Sequence, residues 1–432
     1  MITLRVSVER SLASTSGRTG DTLSLMKLPY LSCAIATFLI GHSLVSADNH
    51  PTNAEQRVVD ELAQQFVDRK AGGNILFWDN EQRRIGFKNL KHIYPSRTVH
   101  AAGEPYPLGD RPVDLGQVQY TVDGELFSVA DFLAQDASIG LVVVQGGDVV
   151  TEYYAPGNDE RSLWVSFSVT KSVSSMLIGA AIADGYIASV EESVVDYLPR
   201  LRGSAYEDAS IADVLHMASG VAWNEDYSDP RSDVALAGAL NGPDLVAYLG
   251  SLSRAELPGE VFNYNTGETN LVGEILRSAI GNNASTYLSS KVWTPFGMEF
   301  DASWALGAPM AGELGGCCIS ATLRDYARIG LFALNDGVLP DGTRVLPEQW
   351  MANSAEPSRG SAGYGYLWWL YDDHAYGARG IFGQQIRIDP KRELVIALHS
   401  NAPTAVGSTY HAHIDAALEA IEAYFPIVDS AF

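Results

Sequence analysis

"FSVTKSVSSMLIGAAIADG", residues 167–185, places a lysine three residues after a serine at the start of an apolar segment. The apolar run predicts a buried helix that begins at Ser168 and ends before the final glycine. Residues three apart lie on one helix face, so Lys171 would lie about one turn from Ser168. The pair is either a nucleophile with its base, or a helix cap beside a solvated lysine. The same spacing recurs at Ser24 and Lys27, so spacing alone does not decide.

The surroundings of Lys171 are compatible with chemistry, although they do not decide between the two interpretations. Apolar neighbours penalise the charged form of a lysine, so they lower its pKa toward the range of a useful base. Lys171 could then accept the hydroxyl proton of Ser168. The N–H groups at the start of the helix would stabilise the oxyanion that forms after attack.

Downstream segments supply the context that the short pattern lacks. They are "VLHMASGVAWNEDYSDPRSD", "PGEVFNYNTGETNLVGEIL", "VWTPFGM", "GGCCISATLRDYARIG" and "YGYLWW". With the opening stretch, this ordered set resembles the serine β-lactamase-related superfamily. Within it the chain is most similar to 6-aminohexanoate-dimer hydrolases and their serine-hydrolase relatives, and it is also similar to class C β-lactamases and carboxylesterases of that fold. The resemblance makes Ser168 the expected nucleophile and Lys171 its expected base.

The strand and helix patterns indicate an α/β (α+β) fold. Residues 139–157 read as two strands joined at Gly146-Gly147, and residues 384–400 read as two more strands. Because strands lie at both ends of the globular region, we expect one antiparallel sheet flanked by helices. This is the β-lactamase/transpeptidase-like fold that the resemblance implies. The predicted catalytic domain is residues 127–432, with an inserted all-helical lobe at about 186–314, preceded by an N-terminal arm at 48–126.

The resemblance implies a third catalytic residue, Tyr264 in "FNYNTG". A phenol near a lysine ammonium ionises more easily, and it could relay a proton to the leaving group or from the incoming water. Without the resemblance, a packed structural tyrosine is the alternative. Relatives with a Tyr-x-Asn motif have an asparagine two residues after the tyrosine. Here Thr266 occupies that position and Asn265 sits beside the tyrosine, so both are candidate substrate-binding residues.

A second departure concerns the Lys-Thr-Gly strand of β-lactamases and penicillin-binding proteins. No such tripeptide occurs, and the matching segment is interpreted as "GIFGQQIRID", with residues 381–383 in its place. The missing lysine removes a cation that would bind a β-lactam carboxylate, which favours other amides and esters. Gly383 would let substrate lie close to the strand. The N–H of Gln384 would be the second oxyanion donor beside that of Ser168.

Tyr227, in "WNEDYSDPRSD", matches a loop tyrosine that contacts the substrate amide in the 6-aminohexanoate-dimer hydrolases. A surface aromatic on a variable loop is the other interpretation. The adjacent residues Trp368 and Trp369 could wall the cleft. Since neighbours on a strand face opposite sides, at most one of the two is expected to do so.

Charge narrows the choice of partners. The net charge is −23, and the first 47 residues hold four basic and two acidic residues, so the remainder carries −25. Such a charge repels nucleic acid and anionic membranes. We expect a small-molecule amide or ester as substrate, with neither metal nor organic cofactor. His411 and His413 are interpreted as helical bystanders, and Cys317-Cys318 as neighbours unsuited to a disulfide.

The N-terminus indicates export. Residues 26–47 combine a lysine, an apolar run and a small-residue end, which is typical of a secretory signal peptide. Residues 1–25 would be an upstream extension. We therefore expect a periplasmic or secreted protein with no stable membrane insertion after signal removal. The oligomeric state stays open.

The favoured function is hydrolysis of an amide or ester, such as 6-aminohexanoate-dimer-like linear amides, through an acyl-enzyme on Ser168. Within enzymes the alternatives are a carboxylesterase and a weak class C-like β-lactamase or peptidase of the same fold. A non-hydrolysing module that binds peptides or β-lactams is the alternative of another class. No G-x-S-x-G elbow occurs, which disfavours an α/β-hydrolase.

Overall fold

The computed structural model describes residues 50–68, 74–101, 103–238, 240, 242–371 and 374–428. The predicted upstream extension and signal peptide at residues 1–47 lie outside these ranges. Across the described ranges, none of the helices has both the length and the apolar character needed to span a membrane.

Strands in these ranges form two larger sheets and one hairpin. Their bounds are β1 Ser96–Val99, β2 Gly109–Asp110, β3 Gln119–Val122, β4 Glu125–Ser128, β5 Ser138–Gln145, β6 Asp148–Tyr154, β7 Trp164–Val165, β8 Ala302–Ala305, β9 Ile319–Ala321, β10 Trp369–Leu370, β11 Tyr376–Gly380, β12 Gln384–Asp389 and β13 Leu394–Ser400. The main sheet has seven strands in the order β10-β11-β12-β13-β5-β6-β2. A four-stranded sheet has the order β1-β8-β9-β7, and β3 pairs with β4.

The main sheet joins both ends of the globular region, which confirms the predicted architecture. β5 and β6 form the predicted hairpin, with Gly146 and Gly147 at φ 61° and 87°, a region that favours glycine. β13 from the C-terminal part pairs antiparallel with β5. One detail differs from an all-antiparallel sheet, since β2 at the edge runs parallel to β6.

The helices of the described ranges surround these sheets. Their bounds are α1 Asn53–Val67, α2 Asn80–Gly86, α3 Leu90–Ile93, α4 Val129–Leu133, α5 Val169–Ala183, α6 Val194–Tyr197, α7 Ile211–Leu215, α8 Asp233–Ala237, α9 Gly242–Gly250, α10 Thr266–Ile280, α11 Ala284–Leu288, α12 Thr294–Phe296, α13 Leu323–Leu334, α14 Trp350–Ser354 and α15 Thr409–Tyr424. A π-helical turn, Ser289–Trp293, links α11 to α12.

Two hydrophobic cores lie on opposite faces of the main sheet, because alternate residues of a strand point to opposite sides. On β5, Val142 and Val144 join the core that contains α5, α10 and α13. Leu141 and Val143 join the other core, with α15 and the N-terminal arm. The apolar runs of β5 and β13 therefore reflect burial on both faces.

The predicted N-terminal arm is part of both sheets. β1 pairs with β8 and β2 pairs with β6, so the arm contributes a strand to each. The predicted lobe at about 186–314 holds α6 to α12, but it also holds β8, so it is not wholly helical. Within this lobe α10 packs directly on α5. That contact brings the segment around Tyr264 to the start of α5.

Candidate active site

Ser168 lies at the N-cap position of α5, yet its side chain makes no capping hydrogen bond. The capping role considered from the sequence is therefore not the one that the structure shows. Phe167, the preceding residue, has φ of 45°, a left-handed conformation that is strained for a bulky residue. This sharp turn leaves Ser168 partly exposed at the edge of a cavity.

Lys171 lies one turn into α5 and only 1% of it is exposed. The helix is held in the interior by its own serines, since Ser172 and Ser174 donate to the carbonyls of Leu367 and Gly315. Burial lowers the pKa of Lys171 to about 8, and the carboxylate of Glu225 opposes that decrease. A substantial neutral fraction near pH 8 is what a general base in this position requires.

The partners of Lys171 suit a neutral amine. Its Nζ donates to Thr266 Oγ1 at 3.0 Å and to the Gly316 carbonyl at 2.9 Å. A neutral amine has two N–H bonds and one lone pair. With both N–H bonds used in this way, the lone pair is the group left to accept a proton.

Tyr264 lies beside this pair, and the nearby Ser168 side chain acts to lower its pKa. The Nζ of Lys171 is 5.5 Å from the centroid of its ring. The Tyr264 ring also stacks on the Trp369 ring, with the two ring centroids 5.6 Å apart. Trp368 is fully buried, so only Trp369 of the two tryptophans flanks the phenol. Burial and Glu225 raise the pKa of Tyr264, which differs from the eased ionisation expected from the sequence.

Glu225 is the residue that sequence reasoning missed. Its carboxylate accepts hydrogen bonds from the Tyr227 hydroxyl at 2.7 Å and the Thr266 N–H at 3.0 Å. The Trp223 indole and the Thr266 hydroxyl also donate to it. Thr266 therefore links Lys171 to Glu225. The alternation of Trp223, Glu225 and Tyr227 was the available signal, because alternate residues of an extended segment face one side.

Two neighbouring candidates have different roles. Thr266 lines the cavity and contacts Lys171, in the position where Tyr-x-Asn relatives have an amide. Asn265 is fully buried. Its side chain accepts from the Glu268 N–H at 3.0 Å, which caps α10. The expectation that Asn265 contacts substrate is corrected, because its amide is used inside the protein.

Gly383 and Gln384 also lie away from the cavity. The Gln384 side chain bonds to the backbone of Ser400, and a Cβ on Gly383 would meet the Ser400 side chain. The structure instead brings Ile381 to the cavity beside Ser168. The sequence was interpreted as one strand through "GIFGQQIRID", with Gln384 beside the serine. In the structure β11 ends at Gly380, and a short 3₁₀ turn at Ile381–Gly383 separates it from β12. The residue that lines the cavity is therefore Ile381, three residues before Gln384.

Gly380 explains how β11 approaches Ser168. A Cβ at this position would meet the Phe167 Cβ at 3.2 Å and would overlap the Ser166 carbonyl. Only a residue without a side chain permits this approach. The end of β11 and the turn before Ser168 are therefore in direct contact.

The turn Gly315 to Cys318 lies next to Thr266 and contributes to the wall of the cavity. Asn270 on α10 accepts from the Gly316 N–H at 3.0 Å, and the Gly316 carbonyl accepts from Lys171. Cys317 and Cys318 are joined by a disulfide, which corrects the expectation that these neighbours stay unpaired. Both cysteines line the cavity.

The cavity has a volume of about 100 Å³. Its lining includes Ser168, Tyr227, Thr266 and Ile381, together with residues of the N-terminal arm. In the described ranges, no cluster of three or more His, Cys, Asp and Glu residues could hold a metal ion. His411 and His413 bond to Ser408 and Tyr120.

The fold, together with a serine that lines the cavity and a buried lysine one helical turn away, is typical of serine hydrolases. The sequence profile of the Beta-lactamase family matches residues 129–420. The chain belongs to the Beta-lactamase family, and it is a hydrolase of that family.

Comparisons with individual proteins agree with this assignment. The chain is 29% identical to the 6-aminohexanoate-dimer hydrolase of Paenarthrobacter ureafaciens over 297 residues, 63% of this chain and 74% of the relative. It is 26% identical to penicillin-binding protein 4 of Amycolatopsis lactamdurans over 291 residues, 56% of this chain and 73% of the relative. A solved structure from Bacillus anthracis, provisionally assigned as a 6-aminohexanoate-dimer hydrolase, shares the fold. Its TM-score is 0.71 at 21% identity, with 82% of this chain and 97% of that chain covered.

Proposed function

We propose that this protein hydrolyses a linear amide or ester through an acyl-enzyme on Ser168. The observation that carries the proposal is the environment of Lys171, a buried amine whose pKa is lowered to about 8 and whose N–H bonds are used by Thr266 and Gly316. The relative from Paenarthrobacter, a 6-aminohexanoate-dimer hydrolase, supports linear amides as the substrate class.

In the first step Ser168 Oγ attacks the carbonyl carbon of the substrate while Lys171 accepts the hydroxyl proton. The bond to the leaving group then breaks, and the proton passes to the leaving group through Tyr264, which lies beside Lys171 and Ser168. In the second step water attacks the acyl-enzyme and gives its proton to the same lysine. Lys171 returns this proton to Ser168 Oγ as the acyl bond breaks, which regenerates Ser168 and releases the carboxylic acid product.

Two backbone N–H groups are proposed to bind the oxyanion. One is that of Ser168 at the N-terminus of α5, where helical N–H groups lack partners within the helix. The other is that of Ile381, which lines the cavity beside Ser168. This replaces Gln384 of the sequence-based interpretation.

Glu225 and Thr266 are proposed to be positioning residues. Thr266 accepts a hydrogen bond from Lys171 and donates one to Glu225. The chain of contacts fixes the direction of the amine without requiring either residue to touch substrate.

The test is product release from 6-aminohexanoate dimer, a short-chain p-nitrophenyl ester and nitrocefin. We expect turnover of at least one compound by the wild type and a loss of at least about 10³-fold for Ser168→Ala. Ser175→Ala is the matched control, because this serine lies on the same helix, is buried and has no hydrogen-bond partner in the described ranges. Equal activity of Ser168→Ala and wild type would contradict the proposal. Stoichiometric acylation without turnover would instead indicate a binding module.

Export is proposed from the sequence of residues 26–47. We expect the protein expressed from the full chain in a bacterial host to be recovered from the periplasm or medium with a new N-terminus near residue 48. N-terminal sequencing of the recovered protein checks this. Recovery only inside the cytoplasm, with an uncleaved N-terminus, would contradict export.

A further inference from the structure

Residues of the N-terminal arm form part of the wall of the cavity beside Ser168. Ile75, Leu76 and Leu90 of the arm line it together with Val234, Leu314 and the paired cysteines. No Lys, Arg, Asp, Glu or His side chain is among the described residues that line it. This part of the wall is therefore an apolar surface in the same cavity as the proposed nucleophile.

The arm is held firmly in this position. Phe87 packs edge-on against Phe167 with ring centroids 5.0 Å apart, and its carbonyl accepts from the Val165 N–H at 3.1 Å. Ile75 N–H donates to the Tyr94 hydroxyl at 3.3 Å, and Asn74 accepts from Leu76 N–H at 3.1 Å. The wall is thus tied to the turn that presents Ser168, so it is a built feature of the site.

The position of Tyr264 indicates which part of the substrate enters the cavity. Tyr264 lies beside Lys171 and Ser168 but is not among the described residues that line the cavity. A residue that gives the leaving group its proton must lie on the leaving-group side of the scissile bond. With Tyr264 as the proposed proton relay, the acyl group of the substrate is directed into the cavity.

Glu225 does not change the apolar character of the cavity. It is the carboxylate nearest to the site machinery, yet its oxygens already accept from Trp223, Tyr227 and Thr266. An ammonium group at the end of an acyl chain would have to lose its hydration without gaining a free counter-ion. That desolvation is costly.

We propose that the cavity is an acyl-binding subsite for uncharged aliphatic groups, and that the arm residues Ile75, Leu76 and Leu90 determine this specificity. The proposal rests on the proposed function for the direction of the acyl group. A volume of about 100 Å³ suits a short chain, since an apolar cavity of roughly 150 Å³ holds a benzene ring. Chains that end in an amine or a carboxylate are discriminated against.

The test measures binding without chemistry. Ser168→Ala is titrated by calorimetry with N-butylhexanamide and with its 6-aminohexanoyl counterpart, which has the same length and a terminal ammonium. We expect the uncharged amide to bind at least tenfold more tightly. Equal or tighter binding of the aminohexanoyl compound would overturn the proposal. Turnover is measured separately in the wild type with p-nitrophenyl acetate, whose acyl group is too small to need the subsite, so a failure of the hydrolytic function is distinguished from a failure of the subsite.

The arm is tested by adding a charge to it. Leu76→Glu in the Ser168→Ala background should reverse the order of affinities, because the new carboxylate pairs with the ammonium. Leu76→Ala is the uncharged second variant, and we expect about a tenfold loss of affinity for N-butylhexanamide with no gain for the charged compound. Leu126→Glu, at an exposed leucine of β4 outside the cavity, is the matched control. Affinities unchanged in both Leu76 variants would overturn the role of the arm.

Discussion

At the scale of single residues, the pKa values of Lys171 and Tyr264 shift in opposite directions, which favours Lys171 as the proposed general base. Burial lowers the pKa of Lys171 to about 8, whereas burial and Glu225 raise that of Tyr264. At neutral to mildly alkaline pH a neutral amine is therefore accessible and a phenolate is not. The phenol keeps its proton, which suits a group that donates to the leaving group and recovers its proton from the serine or from water.

Glu225→Gln should move the pH dependence of catalysis. Glu225 raises the pKa of Lys171, so removing the charge lowers that pKa, and the neutral amine forms at lower pH. In the wild type we expect kcat/KM to rise with pH through about 8, and in the variant we expect the same rise at a lower pH. The exposed Glu260, changed to Gln, is the control. An unchanged pH profile, or a shift to higher pH, would show that Glu225 does not act on the lysine.

At the scale of elements, the turn Gly315 to Cys318 is arranged around the lysine. Ser174 on α5 holds Gly315, and Asn270 on α10 holds Gly316. The helices α5 and α10, which share one hydrophobic core, thereby position the Gly316 carbonyl against Lys171. This arrangement depends on a glycine, because a Cβ on Gly316 would lie 3.1 Å from Lys171 Nζ and 3.1 Å from Thr266 Cγ2.

Gly316→Ala should therefore lower activity without unfolding the protein. The added methyl group displaces Lys171 or Thr266 by a few tenths of an ångström, and misplacement of a catalytic base costs about 10- to 100-fold in kcat. Steady-state kinetics with a thermal melt as a folding check measures the effect. Gly363→Ala is the matched control, since the nearest atom to its Cβ, the Leu370 carbonyl oxygen, lies 3.8 Å away. Equal losses in the two variants would rule out a local effect on the lysine.

At the scale of the whole molecule, a second buried ionisable group, Glu268, makes stability depend on pH. Glu268 is 2% exposed, and burial raises its pKa to about 8, while the hydrogen bond from Ser219 acts in the opposite direction. Its Oε2 and the hydroxyl of buried Tyr206 have no hydrogen-bond partner within the described ranges. The folded state therefore binds a proton here that the unfolded chain releases at lower pH.

Glu268→Gln should flatten the dependence of stability on pH. A carboxyl whose folded pKa is raised stabilises fully below its unfolded pKa of 4.5, and that contribution is lost as pH rises toward about 8. The wild type should lose up to roughly 1.4 kcal/mol of unfolding free energy per pH unit from this group across that window, and the variant should not. Urea unfolding at pH 5, 7 and 9 measures the difference. Parallel pH dependences would contradict the raised pKa.

The sequence by itself determined what depends on neighbours along the chain. The hairpin of β5 and β6 was predicted from two apolar runs around a glycine pair. Helix α5 was predicted from the apolar run that follows Ser168. The ordered segments were sufficient to identify the family, and residues 129–420 match its profile. β11, however, was not among the predicted strands, although it pairs with β10 and β12 in the main sheet. A short strand that contains two glycines has little local signal.

Only the tertiary structure decided which groups meet around Ser168. Glu225 reaches Thr266 across 41 positions of sequence, and the arm residue Leu76 reaches the same cavity from the other end of the domain. Ile381, and not Gln384, lines the cavity, because a 3₁₀ turn separates the end of β11 from β12. Periodicity specifies the face that an element buries, but the packing of distant elements specifies which side chains come together. The family is therefore readable from local sequence, whereas the contacts around Lys171 and the lining of the cavity depend on the packing of distant elements.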